Sequence, residues 1–389
     1  MPSSGAQRMQ QIAPFEVMEV MARAQALESA GRDLVHMEVG EPDFPTAEPI
    51  VEAGARALRD GRTHYTLALG LPELRAAIAA FYASRYGVAV DAGRIVITPG
   101  ASGALQLVFW SLLDPGDEVL LADPGYPCNR NFIRLAGGVP VSVPTGPQTR
   151  YQLSADLIEG HLTPRTRAVL LASPSNPTGT TVPAQELEAI ARLLERHGVA
   201  LIADEIYHGL LYGSDTTTVL ASQPQAYVVN SFSKYFGMTG WRLGWLVAPQ
   251  AALRDCEKLA QNLFISAPTP AQYAALAAFE PATLEILEGR REAFRERRDL
   301  LLGGLRELRF DVPLVPDGAF YAYADVSAHT GDSFAFALQI LEQAGVALTP
   351  GRDFGSQGAE RHLRLAYTTS AARLEQGLER LHGFLRAGA

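Results

Sequence analysis

The chain has 389 residues, 47% hydrophobic and 19% charged, with 35 glycines and 25 prolines, which is more than one comfortable core and too apolar for disorder, so a large domain plus a smaller one is expected. A formal net charge of −9, spread along the chain, argues against nucleic acid and anionic membrane surfaces as partners. No apolar run reaches the roughly eighteen residues of a membrane span, and Met1 to Gln11 lack the layout of a secretion signal. Cys128 and Cys256 stand far apart without metal-ligand spacing, so no metal site and no disulfide framework are expected, and the protein reads as cytoplasmic.

In chain order, Phe15 to Leu27 has helical spacing and precedes the turn-rich Gly40-Glu41-Pro42-Asp43-Phe44-Pro45. Pro72 to Tyr86 repeats the 3.6-residue period, and Arg94 to Thr98 begins a series of short, nearly all-apolar runs. After the first comes Pro99-Gly100-Ala101-Ser102-Gly103 and then an apolar helix over Ala104 to Leu113. Amides at a helix start, a serine hydroxyl and glycines suit an anion, although the run serves equally as an ordinary strand-to-helix turn. It is neither Gly-x-Gly-x-x-Gly nor a Gly-Lys-Ser/Thr loop.

The next strand, Glu118 to Ala122, is followed by Asp123-Pro124-Gly125-Tyr126-Pro127, where Tyr126 can either pack or lie flat on an aromatic ligand. Ala168 to Ala172 leads into Ser173-Pro174-Ser175-Asn176-Pro177-Thr178-Gly179, a turn that offers the Asn176 amide. A helix over Gln185 to Arg196 precedes the strand Ala200 to Ala203, which ends on Asp204, with Tyr207 three residues later. A carboxylate at a buried strand end is costly unless it meets a cation.

The strand Tyr227 to Asn230 opens onto Ser231-Phe232-Ser233-Lys234, and Gly240-Trp241-Arg242-Leu243-Gly244 leads to the strand Leu243 to Val247. An amine able to form an imine, two hydroxyls and a phosphate-gripping guanidinium would together hold an aldehyde that carries a phosphate, which suggests pyridoxal 5'-phosphate. Taken alone, the run is more often a surface loop. Alternation of strands and helices implies an α/β domain with a largely parallel sheet. The pattern changes after about Pro281, where a charged helix over Leu284 to Leu305 leads to strands near Phe320 to Ala324 and Leu363 to Tyr367. The expected division is a large domain over 45–283 and a small α+β domain from 1–44 with 284–389.

The order of these motifs resembles that of the class I aminotransferases, pyridoxal-phosphate enzymes of fold type I, from Val39-Gly40-Glu41-Pro42-Asp43 to His362-Leu363-Arg364. That resemblance implies a mostly parallel seven-stranded sheet covered by helices, beside the smaller α+β domain. It implies that Lys234 holds the cofactor as a Schiff base, that Asp204 pairs with the pyridine nitrogen and that Tyr207 and Asn176 bind the phenolic oxygen. Tyr126 takes the ring-stacking position, and Gly100, Ala101, Ser102, Ser231, Ser233 and Arg242 form the phosphate cup. Arg364 clamps the substrate carboxylate with help from Asn176 and the Gly40 amide, and Tyr65 reaches the neighbouring active site of a homodimer.

The implied reaction moves an amino group from an L-amino acid to a 2-oxo acid by a ping-pong route. Gln261 to Pro268 lacks an arginine for a distal carboxylate, leaving Arg130 and Arg134 as stand-ins, and Phe15 is placed to line an apolar pocket. A neutral or aromatic donor is therefore expected, with 2-oxoglutarate or pyruvate as acceptor. A carbon-sulfur β-lyase on the same scaffold would share every cofactor residue. A ligand-sensing module behind a DNA-binding head has little room ahead of Gly40.

Overall fold

The protein is described from a computed structural model covering residues 5–213 and 217–387. Helix α1 (Glu16–Ser29) and the short strand β1 (Val35–His36) precede helices α2 (Glu48–Arg59) and α3 (Pro72–Tyr86). The central sheet contains β2 (Ile95–Thr98), β3 (Glu118–Asp123), β4 (Val139–Pro144), β5 (Thr166–Ala172), β6 (Ala200–Asp204), β7 (Tyr227–Ser231) and β8 (Gly244–Val247). Connecting them are α4 (Gly100–Leu112), α5 (Pro127–Leu135), α6 (Ala155–Glu159) and α7 (Ala184–His197).

Across the sheet the order is β2, β8, β7, β6, β5, β3, β4. β8 runs antiparallel to both neighbours and every other pairing is parallel. Parallel strands need helical crossovers on their faces, so they are buried on both sides and read as continuous apolar runs. Their residues alternate between two cores: Ile95, Ile97, Val228 and Trp245 face one, while Val96, Tyr227, Val229 and Leu246 face the other.

Two elements escape the apolar pattern. β4 carries Pro140 and Pro144 and is half exposed, because it lies at the sheet edge, where a missing backbone donor is tolerated. The second, α2, follows the turn-rich segment and interrupts its apolar residues with Glu48, Glu52, Arg56 and Arg59. Helix α3 has the expected bounds, and α4 starts at Gly100 rather than Ala104, so the glycine run forms the helix's first turn.

Beyond the sheet come α8 (Leu253–Leu263), α9 (Thr269–Leu276), α10 (Pro281–Glu307), β9 (Tyr321–Asp325), α11 (Ser333–Ala344), β10 (Val346–Ala347), β11 (Thr349–Pro350), β12 (His362–Ala366) and α12 (Ala371–Ala387). β11, β12 and β9 form an antiparallel sheet, and β1 pairs in parallel with β10 through Val35 and Val346. The segment before Gly40 is thereby tied to the C-terminal elements. Among the described residues, no helix is long and apolar enough to cross a membrane, and no cluster of His, Cys, Asp and Glu could hold a metal ion.

Candidate active site

A cavity of about 520 Å³ opens where the parallel strands of the central sheet end. Ligands of open α/β sheets collect at these carboxyl ends because the loops there diverge. Asp204 closes β6, Ser231 closes β7, Asn176 follows β5, Tyr126 follows β3, and Ala101 and Ser102 begin α4 after β2. β8 enters from the opposite direction, which puts Arg242, just before it, at the same rim.

Close backbone approach makes the rim compact. A Cβ on Gly244 would lie 2.7 Å from the Asn230 carbonyl oxygen and 2.8 Å from the Ala101 amide nitrogen. Only glycine there lets β8 lie against both β7 and the first turn of α4. Arg242 has a φ of 54°, in the left-handed region, and a Cβ on Gly100 would fall 2.6 Å from its Nη2. The guanidinium therefore lies over the amides that begin α4, a cationic cap on a helix start with positive dipole. Ser231 Oγ accepts from the Ser233 amide at 3.0 Å, which closes the loop leading to Lys234.

Lys234 is partly buried, and its Nζ donates to the Gly40 carbonyl at 2.6 Å. Burial, reinforced by the Arg364 cation, lowers its pKa to about 8. Asp204 is raised to about 7, chiefly by burial, even though its carboxylate accepts from the Ile206 amide at 3.2 Å. A carboxylate this destabilised favours a positively charged partner. Tyr207 shares a 2.9 Å hydrogen bond with the Tyr321 hydroxyl, and burial pushes its phenol well up.

Arg364, in β12, is 7% exposed. Its Nη1 donates to Asn176 Oδ1 at 3.0 Å and its Nη2 to the Glu38 carbonyl at 2.6 Å, while Nε has no partner. Tyr321 and Phe354 flank the guanidinium, with ring centroids 4.3 and 4.9 Å from its carbon. A buried guanidinium packed against two rings, with a donor left free, is prepared for a carboxylate.

The structure brings Phe15, Gly40, Ala101, Ser102, Tyr126, Asn176, Asp204, Tyr207, Ser231, Ser233, Lys234, Arg242 and Arg364 to the wall of this one cavity. Gly100 backs Arg242 from behind the wall. Tyr65 is 78% exposed and lies outside it. The suggestion that Arg130 or Arg134 supplies a distal cation needs correction, since neither lines the cavity and Arg130 donates instead to the carbonyls of Phe354 and Asp353 at 2.9 and 3.0 Å. Sequence reading also misses Tyr321, Phe354 and Asp353. The one available signal was Gly40, where a Cβ would collide with the Tyr321 hydroxyl at 1.9 Å.

Pyridoxal phosphate asks for an anion cup, an amine, an acid for the ring nitrogen and a donor for the phenolic oxygen. The Arg242-capped amides of α4, the Lys234 amine, the destabilised Asp204 and the Tyr207 hydroxyl fit that set. Comparison with known proteins agrees. Residues 32–381 match the family Aminotransferase class I and II. The chain is 43% identical to a valine–pyruvate aminotransferase of Mycobacterium tuberculosis, over 96% of this chain and 97% of that protein. It is 39% identical to an aspartate/prephenate aminotransferase of Thermus thermophilus, over 96% of each. A crystal structure of an aminotransferase from Mycobacterium tuberculosis superposes with a TM-score of 0.96 at 41% identity, covering 99% of this chain and 100% of that one. Fold, site chemistry and similarity along the chain converge: this protein belongs to the class I and II aminotransferases, enzymes that depend on pyridoxal phosphate.

Proposed function

We propose that this aminotransferase takes its amino group from a neutral L-amino acid, of the valine or aromatic class, and passes it to a 2-oxo acid in two separate half-reactions. One observation carries the donor class. Among the described residues, the cations lining the cavity are Lys234, Arg242 and Arg364, and each has a duty within the cofactor or α-carboxylate chemistry. No lining cation remains for a distal carboxylate, while Phe15, Val17 and Met21 supply an apolar wall. The same reasoning favours pyruvate over 2-oxoglutarate as acceptor. A relative at 43% identity carries the name valine–pyruvate aminotransferase.

In this reading Arg364, whose Nε has no partner, clamps the substrate carboxylate. Arg242, Ser231, Ser233 and the first amides of α4 hold the phosphate. Asp204 would hold a proton on the ring nitrogen of pyridoxal phosphate, Tyr207 and Asn176 would contact its phenolic oxygen, and Tyr126 would pack against its ring. Bound pyridoxal phosphate supplies the electron sink that makes the substrate Cα acidic. Lys234 would hold the cofactor covalently and, once the substrate amine had replaced it, would take the proton from the substrate Cα and deliver it to the cofactor carbon that had carried the aldehyde. Its pKa near 8 keeps a neutral amine accessible near neutral pH.

The site residues are expected to sit on a large unit over 45–283 and a small unit built from 1–44 and 284–389, a division supported by the β1–β10 pairing. The protein is read as a cytoplasmic homodimer, with Cys128 and Cys256 both free.

The test is a spectrophotometric screen of single half-reactions on the holoenzyme. Valine-class or aromatic donors should convert the cofactor once and stop until a 2-oxo acid is added. Faster conversion by aspartate would overturn the donor class, and continuous release of ammonia without acceptor would favour a lyase. Lys234→Ala should lose the covalent link, visible in the absorbance of the bound cofactor, and about 10³-fold in turnover. An unchanged spectrum would refute the role of Lys234.

A further inference from the structure

The apolar wall of the cavity belongs to a weakly anchored helix. Phe15, Val17 and Met21 line the cavity, yet only Val20 and Ala24 of α1 are buried and Met18 is 55% exposed. Phe15, at the N-cap, provides no side-chain cap, so the first amides of α1 need acceptors from elsewhere. Asp353 provides them across 337 residues of sequence, accepting from the Glu16 amide at 2.6 Å and across 336 residues from the Val17 amide at 2.9 Å.

Asp353 is itself held in place. It is 7% exposed and lines the cavity, and Arg130 in α5 donates to its carbonyl at 3.0 Å and to that of Phe354 at 2.9 Å. The Phe354 ring lies 4.9 Å from the Arg364 guanidinium. A continuous path therefore runs from Arg364 through Phe354 and Asp353 to α1. Arg130, unavailable as a cation for substrate, serves to fix the turn that carries this path.

We propose that Asp353 is a positioning residue for donor selection: by capping α1 it sets how far Phe15, Val17 and Met21 stand from Arg364, and so which neutral side chain fills the gap. The proposal rests on the neutral-donor reading above. A carboxylate suits this work because two N–H groups converge on it at the positive end of a helix dipole. When the cap is lost, α1 stays tethered near its C-terminus, where His36 bridges Glu28 at 2.9 Å and Glu38 at 2.7 Å. Its cavity-lining end is then free to shift.

The experiment compares holoenzymes of the wild type, Asp353→Ala, Asp353→Asn and Met18→Ala with valine, phenylalanine and aspartate as donors. Asp353→Ala is expected to raise KM for the best neutral donor about fivefold, the size of a lost helix cap, and to leave kcat within about twofold. Asp353→Asn, whose amide oxygen still accepts one N–H, should recover much of that loss. Met18→Ala, on the outer face, should match the wild type. The proposal is overturned if folded Asp353→Ala keeps the wild-type KM, if KM and kcat change by one common factor for every donor, or if Asn rescues nothing. Should Asp353→Ala fail to fold, Asp353→Asn and Asp353→Ser carry the same comparison. A wild type that prefers aspartate would overturn the neutral-donor reading by itself, while the split between KM and kcat would still test Asp353 on whichever donor is preferred.

Discussion

Lys234 and Asp204 are pushed toward each other on the pH scale, one down to about 8 and the other up to about 7, and burial is the largest cause in both. Burial penalises whichever form is charged, so a base loses protons more easily and an acid more reluctantly. For Asp204 the consequence for stability has a definite sign. The unfolded carboxyl releases its proton near 3.8 and the folded one near 7, so the fold binds that proton more tightly between those values. Stability contributed by the protonated group is present below the lower value and is lost as pH rises through the upper one. Cofactor-free Asp204→Asn should accordingly show a flatter fall in denaturation midpoint between pH 4 and 7 than the cofactor-free wild type. Equal slopes would mean that Asp204 does not titrate in that window. The position of Asp204 is legible in the sequence, because a carboxylate ending an apolar strand has few reasons to be there. Tyr321 is not, since a tyrosine inside a strand has the same pattern whether it packs or contacts Arg364.

At the level of elements, the site depends on an antiparallel strand inserted among parallel ones. β8 carries Arg242 to the rim only because Gly244 lets it pass within van der Waals limits of Asn230 and Ala101. The obstructing atoms are backbone, which cannot rotate aside. Gly244→Ala is expected to cost about 1–3 kcal/mol of stability, the usual range for overpacking, and to weaken cofactor binding by parting Arg242 from the start of α4. Denaturant titration and cofactor dissociation measured on the same sample check both effects, and an unchanged dissociation constant would separate Gly244 from the phosphate cup. The strands read as apolar runs were legible for the reason that parallel strands are buried on both faces. β4 was not, because edge position relaxes the demand for apolar residues and admits its two prolines.

For the molecule as a whole, Tyr65 is the open end of the arrangement. At 78% exposure it serves nothing in its own cavity, which is what a residue lent to a neighbouring subunit would show. Exposed Leu58, Leu67, Leu263 and Ile265 add apolar area suited to such a contact. If Tyr65 acts across subunits, Tyr65→Ala and Lys234→Ala damage different halves of a shared site. Unfolding and refolding the two weak variants together should regain activity, because a mixed dimer collects both lesions in one site and leaves the other intact. No gain on mixing, with mixed dimers verified by mass, would place Tyr65 within its own subunit's chemistry or outside the reaction.

The sequence by itself determined the alternation of strands and helices and, through the order of its motifs, most of the residues that line the cavity. Both are local: strand burial leaves apolar runs, and Asn176, Asp204, Ser231 and Lys234 lie within a few residues of strand ends, where the chain has to turn. Tertiary structure alone decided how the substrate end of the cavity is built. Asp353 caps a helix 337 residues away, Arg130 is consumed by the turn that carries Asp353, and Tyr321 and Phe354 enclose Arg364. These contacts join segments remote in sequence through paired hydrogen bonds and ring faces, which impose no periodicity and no spacing on the chain.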